Sequence, residues 1–223
     1  MSEKVLPFYL VCDESGSMSG APIDSINTSL MELHQEIGAN PVVSDKTRFC
    51  VIAFSSDAHV LLPLSELSNV GSIPGLTAGG GTSFGKAFDL LRDTITQDIA
   101  KLKADGHQVL RPAVFFLTDG QPTDPQNWPG AHQRLVDPSW AARPNILAFG
   151  IGTSDVTVIQ QVATIRAFIS DGTMGPAAAL REFAQQLIQS IVRSGSSSTP
   201  NGGMNLAMPD KVPGFTTVPA DVI

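Results

Sequence analysis

Asp13-Glu14-Ser15-Gly16-Ser17-Met18 follows directly on the apolar run Pro7-Phe8-Tyr9-Leu10-Val11-Cys12. The run has the composition of a short strand buried on both faces, the signature of a central strand in a parallel sheet. Asp13, Ser15 and Ser17 alternate along the chain, so an extended or gently turning backbone points their oxygens the same way. One carboxylate and two hydroxyls form a hard, all-oxygen cluster that suits Mg²⁺, Mn²⁺ or Ca²⁺ and suits Zn²⁺ poorly. Gly16 gives the backbone room to bend so that both hydroxyls reach one ion. Alone, the stretch also fits a polar strand-to-helix turn with Ser17 as a helix cap.

Two further stretches favour the metal reading. Gly79-Gly80-Gly81-Thr82-Ser83 places a hydroxyl on a Gly-rich loop, and Thr118-Asp119-Gly120 places a carboxylate after the apolar run Ala113-Val114-Phe115-Phe116-Leu117. In this order and spacing the three stretches resemble the metal-ion-dependent adhesion site of the von Willebrand factor A family. The resemblance implies a divalent-cation site made by Asp13, Ser15, Ser17, Thr82 and Asp119, with Mg²⁺ as the expected ion. Among the family's branches the chain looks most like the bacterial TerY type, through Tyr9-Leu10-Val11, Asp13 to Gly20, Gly80-Gly81-Thr82 and Phe116 to Asp124. That likeness implies a tellurite-resistance or stress-response setting, with a kinase or a metal-dependent phosphatase as partner. The chain lacks the cysteine-rich zinc-binding extension of some such relatives.

The rest of the chain alternates apolar runs with amphipathic stretches. Ile23, Ile26, Leu30, Leu33 and Ile37 recur at helical spacing behind Pro22, and Gly38-Ala39-Asn40-Pro41 ends that helix. Thr47 to Phe54 and Val60-Leu61-Leu62, joined through Ser55-Ser56-Asp57, predict a hairpin with an antiparallel edge strand. Residues 68 to 81 form a Gly-, Ser- and Pro-rich connection. A long helix then carries Phe84, Phe88, Leu91, Ile95, Ile99 and Leu102 and closes at Gly106. Asp124 to Pro144 is irregular apart from one helix. Ile146 to Ile151 is a strand, Val156 to Thr164 a short helix and Ala167-Phe168-Ile169 the expected last strand, with a final helix from about Pro176 to Arg193. This order predicts an α/β fold: a Rossmann-like, doubly wound, mostly parallel sheet with one antiparallel edge strand and helices on both faces. Residues 1–193 form the expected domain, 194–203 a flexible linker, and 204–223 a tail that is disordered or docks; disorder is the expectation.

Composition narrows the function. A hydrophobic fraction of 42% and a charged fraction of 16% fit a globular protein, and a net charge of −7 argues against non-specific nucleic-acid binding. Met1 to Lys4 shows no basic-then-apolar leader, and no apolar run reaches a membrane span, so a cytoplasmic location is expected, with Cys12 and Cys50 as buried, reduced and potentially neighbouring thiols. Gly80 to Lys86 fits the start of a phosphate-binding loop, but Ala87 stands where a Ser or Thr must bind Mg²⁺, and no strand leads in. Ser15 and Ser17 have no evident histidine partner, and Asp57, Asp124 and Asp171 read as turn or helix caps. Glu14, in the variable position of the first motif, is expected to face solvent. The expected function is therefore a metal-dependent protein-interaction module without catalysis of its own, docking a partner's Asp or Glu carboxylate on the ion. The alternatives are a metal-assisted phosphoester hydrolase using the same residues, and a structural subunit with an unused site.

Overall fold

A computed structural model describes residues 4–39, 41–173, 185, 189 and 215–219. β1 spans Lys4–Asp13, α1 Ala21–Gly38, α2 Pro41–Lys46, β2 Thr47–Phe54 and β3 Ala58–Ser65. Then come α3 Phe84–Ala104, β4 Gln108–Val109, β5 Ala113–Thr118, α4 Trp128–Leu135, β6 Asn145–Gly150, α5 Val156–Val162, β7 Arg166–Ser170 and β8 Phe215–Pro219.

The strands form one sheet in the order β3-β2-β1-β5-β6-β7-β8, with β4 pairing off this path with β1. β1, β2, β5, β6 and β7 run parallel, and β3 pairs antiparallel with β2, the expected edge hairpin. Successive residues of β1 serve opposite faces. Phe8, Leu10 and Cys12 pack with the α1 side, beside Leu30, Leu33 and Met18; Tyr9 and Val11 pack with α3, beside Phe88, Leu91 and Ile95. A strand buried on both faces needs apolar residues at every position, and β1 is buried from Val5 to Asp13. Cys12 and Cys50 are free and buried but belong to opposite faces, so they are not neighbours.

The structure adds three elements to the sequence reading. A short α2 begins at Pro41, where a helix break was expected, and β4 extends the start of the sheet. Beyond the expected last strand, β8 from the tail pairs antiparallel with β7, setting Ala167 opposite Val218 and Ile169 opposite Thr216. Residues 215–219 of the tail therefore lie docked on the β7 edge, whose unpaired backbone groups offer a template for a further strand; the rest of the tail lies outside the described residues. The linker at 194–203 and, save residues 185 and 189, the helix expected from Pro176 to Arg193 lie outside the described residues.

Candidate metal centre

The parallel register delivers the site. Cys12 pairs with Leu117, so Asp13 and Thr118 stand level at the C-terminal ends of adjacent strands. After Asp13 the chain turns through one 3₁₀ turn, Gly16–Met18, into α1. Asp13 is fully buried; its Oδ1 accepts from the Ser15 amide at 2.8 Å and its Oδ2 accepts from Thr118 Oγ1. Ser15 Oγ and Ser17 Oγ lie 3.0 Å apart, and Ser17 Oγ donates to Asp119 Oδ1 at 2.7 Å. Thr82 is buried, and its Oγ1 and Ser17 Oγ lie 3.7 and 3.9 Å from where a Cβ on Gly120 would stand. The structure thus brings Asp13, Ser15, Ser17, Thr82 and Asp119 to one spot from three loops.

Backbone bonds knit those loops together. Glu14 N donates to Phe54 O, Gly79 N to Glu14 O and Gly16 N to Gly80 O. Gly80 has φ +79°, and a Cβ there would sit 2.9 Å from Ser56 Oγ, so both its conformation and its surroundings call for glycine. Gly16, expected to supply the bend, has no positive φ; its value is close approach, since its Cβ would lie 3.4 Å from Gly80 O. Thr82 is clamped by Thr123, which donates its amide to Thr82 O at 2.8 Å and accepts from Thr82 N at 3.2 Å through its Oγ1. Ser17 caps no helix; its hydroxyl is committed to Asp119.

Glu14 departs from expectation. It is buried, its Oε2 accepts from Thr77 N at 3.3 Å, and its Oε1 lies 3.7 Å from His59 Nδ1. The side chain turns inward because the 71–83 loop folds back over it and offers an unpaired amide. Asp124 caps α3 from across the chain, accepting from Ser83 Oγ, Phe84 N and Gly85 N at 2.8 to 3.1 Å. Asp57 and Asp171 bond to the local amides of Ala58 and Thr173, as turn residues do. Thr118, the first residue of the Thr118-Asp119-Gly120 turn, links Asp13 to the Gly120 amide through its hydroxyl.

Electrostatically the cluster lacks a counter-charge. Among the described residues no Lys, Arg or His lies within ion-pair distance of Asp13 or Asp119. Burial pushes both carboxyls above their usual range against the pull of their hydrogen bonds, and Asp119 adds repulsion at Asp13. A buried carboxylate set among hydroxyls, without a basic partner, is the donor set of a hard cation. The five residues fit the expected ion. No three His, Cys, Asp or Glu side chains gather to hold a metal anywhere among the described residues, so the candidate site depends on hydroxyls. His34 and His132 bond to the carbonyls of Val70 and Val162, not to Ser15 or Ser17.

Known proteins share this fold. No curated protein matches the sequence. Among solved structures, proximal thread matrix protein 1 from the mussel byssus superposes with a TM-score of 0.60 at 16% identity, over 86% of this chain and 49% of its own. The open conformation of the pilus adhesin SpaC from Lactobacillus rhamnosus GG gives 0.61 at 14% identity, over 86% and 30%. The ArnB paralog VWA2 from Sulfolobus acidocaldarius gives 0.51 at 18%, over 88% and 46%. The chain therefore spans half or less of each neighbour. One form of the mussel protein, with a TM-score of 0.59 at 17% identity over 86% of this chain and 48% of its own, has a zinc-occupied metal-ion-dependent adhesion motif. The sequence itself matches the von Willebrand factor type A domain over residues 8–191, and the chain belongs to that family.

Proposed function

We propose that the chain is a metal-dependent protein-interaction module that docks a partner's Asp or Glu carboxylate at the Asp13 cluster, without catalysis of its own. One observation carries this reading: the cluster has a buried floor of Asp13, Ser15 and Thr82 and an open rim, where Ser17 is exposed and Asp119 half-buried. A group arriving from outside meets the rim first and needs no channel. Asp13, Ser15, Ser17, Thr82 and Asp119 would hold a divalent cation, with Mg²⁺ proposed and Mn²⁺ or Ca²⁺ able to replace it. An ion held mainly by neutral hydroxyls stays electrophilic toward an incoming carboxylate, and such a contact gains most once water is excluded. The chain's part is to fix those oxygens: Thr118 orients Asp13, Thr123 clamps Thr82, and Ser17 holds Asp119.

The partner is a protein with an exposed carboxylate. On the likeness of its motifs to the TerY type, the proposed setting is a cytoplasmic stress-response or tellurite-resistance system in which a kinase or metal-dependent phosphatase is the partner. The zinc form of the mussel protein means that zinc belongs in any metal series.

Affinity capture from native cytoplasm, with and without chelator, tests the reading. Capture is expected to require the ion, and Asp119→Ala to lose it in either condition. Truncating one member of a desolvated charged contact costs about 2–5 kcal/mol, roughly thirtyfold or more in affinity. Undiminished capture by Asp119→Ala in chelator would move the docking surface elsewhere. Phosphoester hydrolysis by the wild type, abolished by that substitution, would replace the module reading with the hydrolase.

A further inference from the structure

We propose that the end of the molecule opposite the Asp13 cluster carries a second binding site, a cationic trench that takes an acidic peptide segment bearing apolar side chains. The trench begins with a repeated dipeptide. Arg111-Pro112 precedes β5 and Arg143-Pro144 precedes β6, and the register that pairs Ala113 with Asn145 brings the two dipeptides side by side. Proline holds the residue before it extended, so each arginine leaves its strand in a set direction while each proline is buried beneath. Arg111 Nη1 donates to Arg143 O at 3.0 Å, and Arg143 Nη1 donates to Pro138 O at 2.8 Å. Carbonyls therefore position both guanidinium groups and leave most of their donors for something else.

No carboxylate lies within ion-pair distance of Arg111, Arg143 or the adjacent Lys103 among the described residues. The exposed Asp137 nearby binds the amide and hydroxyl of Ser139 and also lies within electrostatic reach of Arg143 and Arg92, so it offsets part of the charge of Arg143 and leaves that of Arg111 and Lys103 open. Among the described residues, Arg111 and Lys103 without a carboxylate partner, beside an only partly offset Arg143, are a local exception in a chain of net charge −7. Two open clefts, of about 290 and 430 Å³, meet at Arg111. Trp140 and Leu110 line one with Lys103; Val136 and Ile165 line the other with Arg143. Ile165 is 41% exposed, one of few large apolar side chains so open among the described residues. Guanidinium groups match carboxylates in bidentate fashion, and the mainly apolar lining of the Trp140 cleft, with Ile165 exposed in the more polar second cleft, asks for apolar side chains flanking those carboxylates. An extended acidic peptide has both features in line. The trench shares no residue with the metal centre, so this inference stands apart from the function proposed above.

The test uses the full chain and the peptide Asp-Glu-Phe-Glu-Asp-Leu-amide, labelled with fluorescein on its N-terminal amine and followed by anisotropy. Saturable binding is expected, weakened about tenfold or more by Arg111→Glu, which reverses charge at a desolvating contact. Ile165→Ser, also at an exposed position, should weaken it severalfold, as should replacing the peptide's Phe and Leu by Ser. Unchanged melting temperatures would show that both variants keep the fold. The titration is run in chelator, so that no ion at the Asp13 cluster takes the peptide's carboxylates, and there Asp13→Ala should bind the peptide as the wild type does. No saturable binding by the wild type, or equal affinity for Arg111→Glu, would overturn the proposal. Binding seen only when Mg²⁺ replaces the chelator would place the peptide at the metal centre and overturn the trench. Equal binding of the Ser-substituted peptide, displaced by millimolar inorganic phosphate, would reduce the trench to a bare anion site.

Discussion

At residue scale, Asp124 and Gly85 act as one device. A Cβ on Gly85 would lie 2.6 Å from Asp124 Oδ2, so alanine there displaces the carboxylate that caps α3. Gly85→Ala and Asp124→Ala should each lower stability by about 1–2 kcal/mol, the range for a lost helix cap, and the double variant should fall short of their sum. Urea unfolding of the three variants checks this; strict additivity would show the two residues to be independent. The grouping of Asp13, Ser15, Ser17, Thr82 and Asp119 is legible in the sequence because ligand-type residues fall in short motifs, two after apolar runs and one on a Gly-rich loop. The burial of Glu14 is not, since its partner amide at Thr77 comes from a loop whose return depends on contacts distant in sequence.

At the scale of elements, α3 is tied to β1 through a polar contact in an apolar interface: Tyr9, fully buried, donates its hydroxyl to Asp98 Oδ2 at 3.0 Å. Burial raises the Asp98 carboxyl above its usual range, against the opposing pull of the Tyr9 bond and of Lys101. The native state therefore holds that proton more tightly than the unfolded chain. The linked stability is present below the ordinary carboxylate range and is lost as pH rises through the raised folded value. Asp98→Asn keeps an acceptor for Tyr9 but cannot titrate, so its advantage over wild type should grow as pH rises through that window; parallel stability curves would refute this. The tail strand supports a second expectation. Ending the chain at residue 203 removes β8, so amide exchange should quicken in β7 and stay slow in β1 and β5, whose pairing does not involve the tail. Equal exchange in β7 of both forms would mean that the pairing contributes nothing. The parallel core was readable because strands buried on both faces are apolar at every position. β8 was not, because Phe215–Pro219 lies among Pro and Gly residues and is made a strand only by the edge it meets.

Across the whole molecule, charge follows the direction of the strands. Asp13, Asp119 and Asp124 gather where the parallel strands end, and Lys4, Arg111 and Arg143 where they begin. Helix dipoles reinforce this, since Asp24 lies in the first turn of α1 and Lys101 and Lys103 in the last turn of α3. Filling the acidic end should stabilise the entire fold. Ligand at a hundredfold its dissociation constant contributes about 2.7 kcal/mol. For a chain of this size each kcal/mol moves the melting point by roughly 2–4 °C, so saturating Mg²⁺ should raise it by roughly 5–11 °C, and Asp13→Ala should erase the rise. The same shift in the mutant would put the ion elsewhere. Both outer strands are antiparallel to their neighbours, and each contains a proline, Pro63 in β3 and Pro219 in β8. A proline has no amide hydrogen to offer a docking strand, so each border of the sheet is a poor template for another chain. The borders of the sheet are thereby guarded against growth into fibrils, and replacing both prolines with valine should produce thioflavin-positive aggregates that the parent chain does not form.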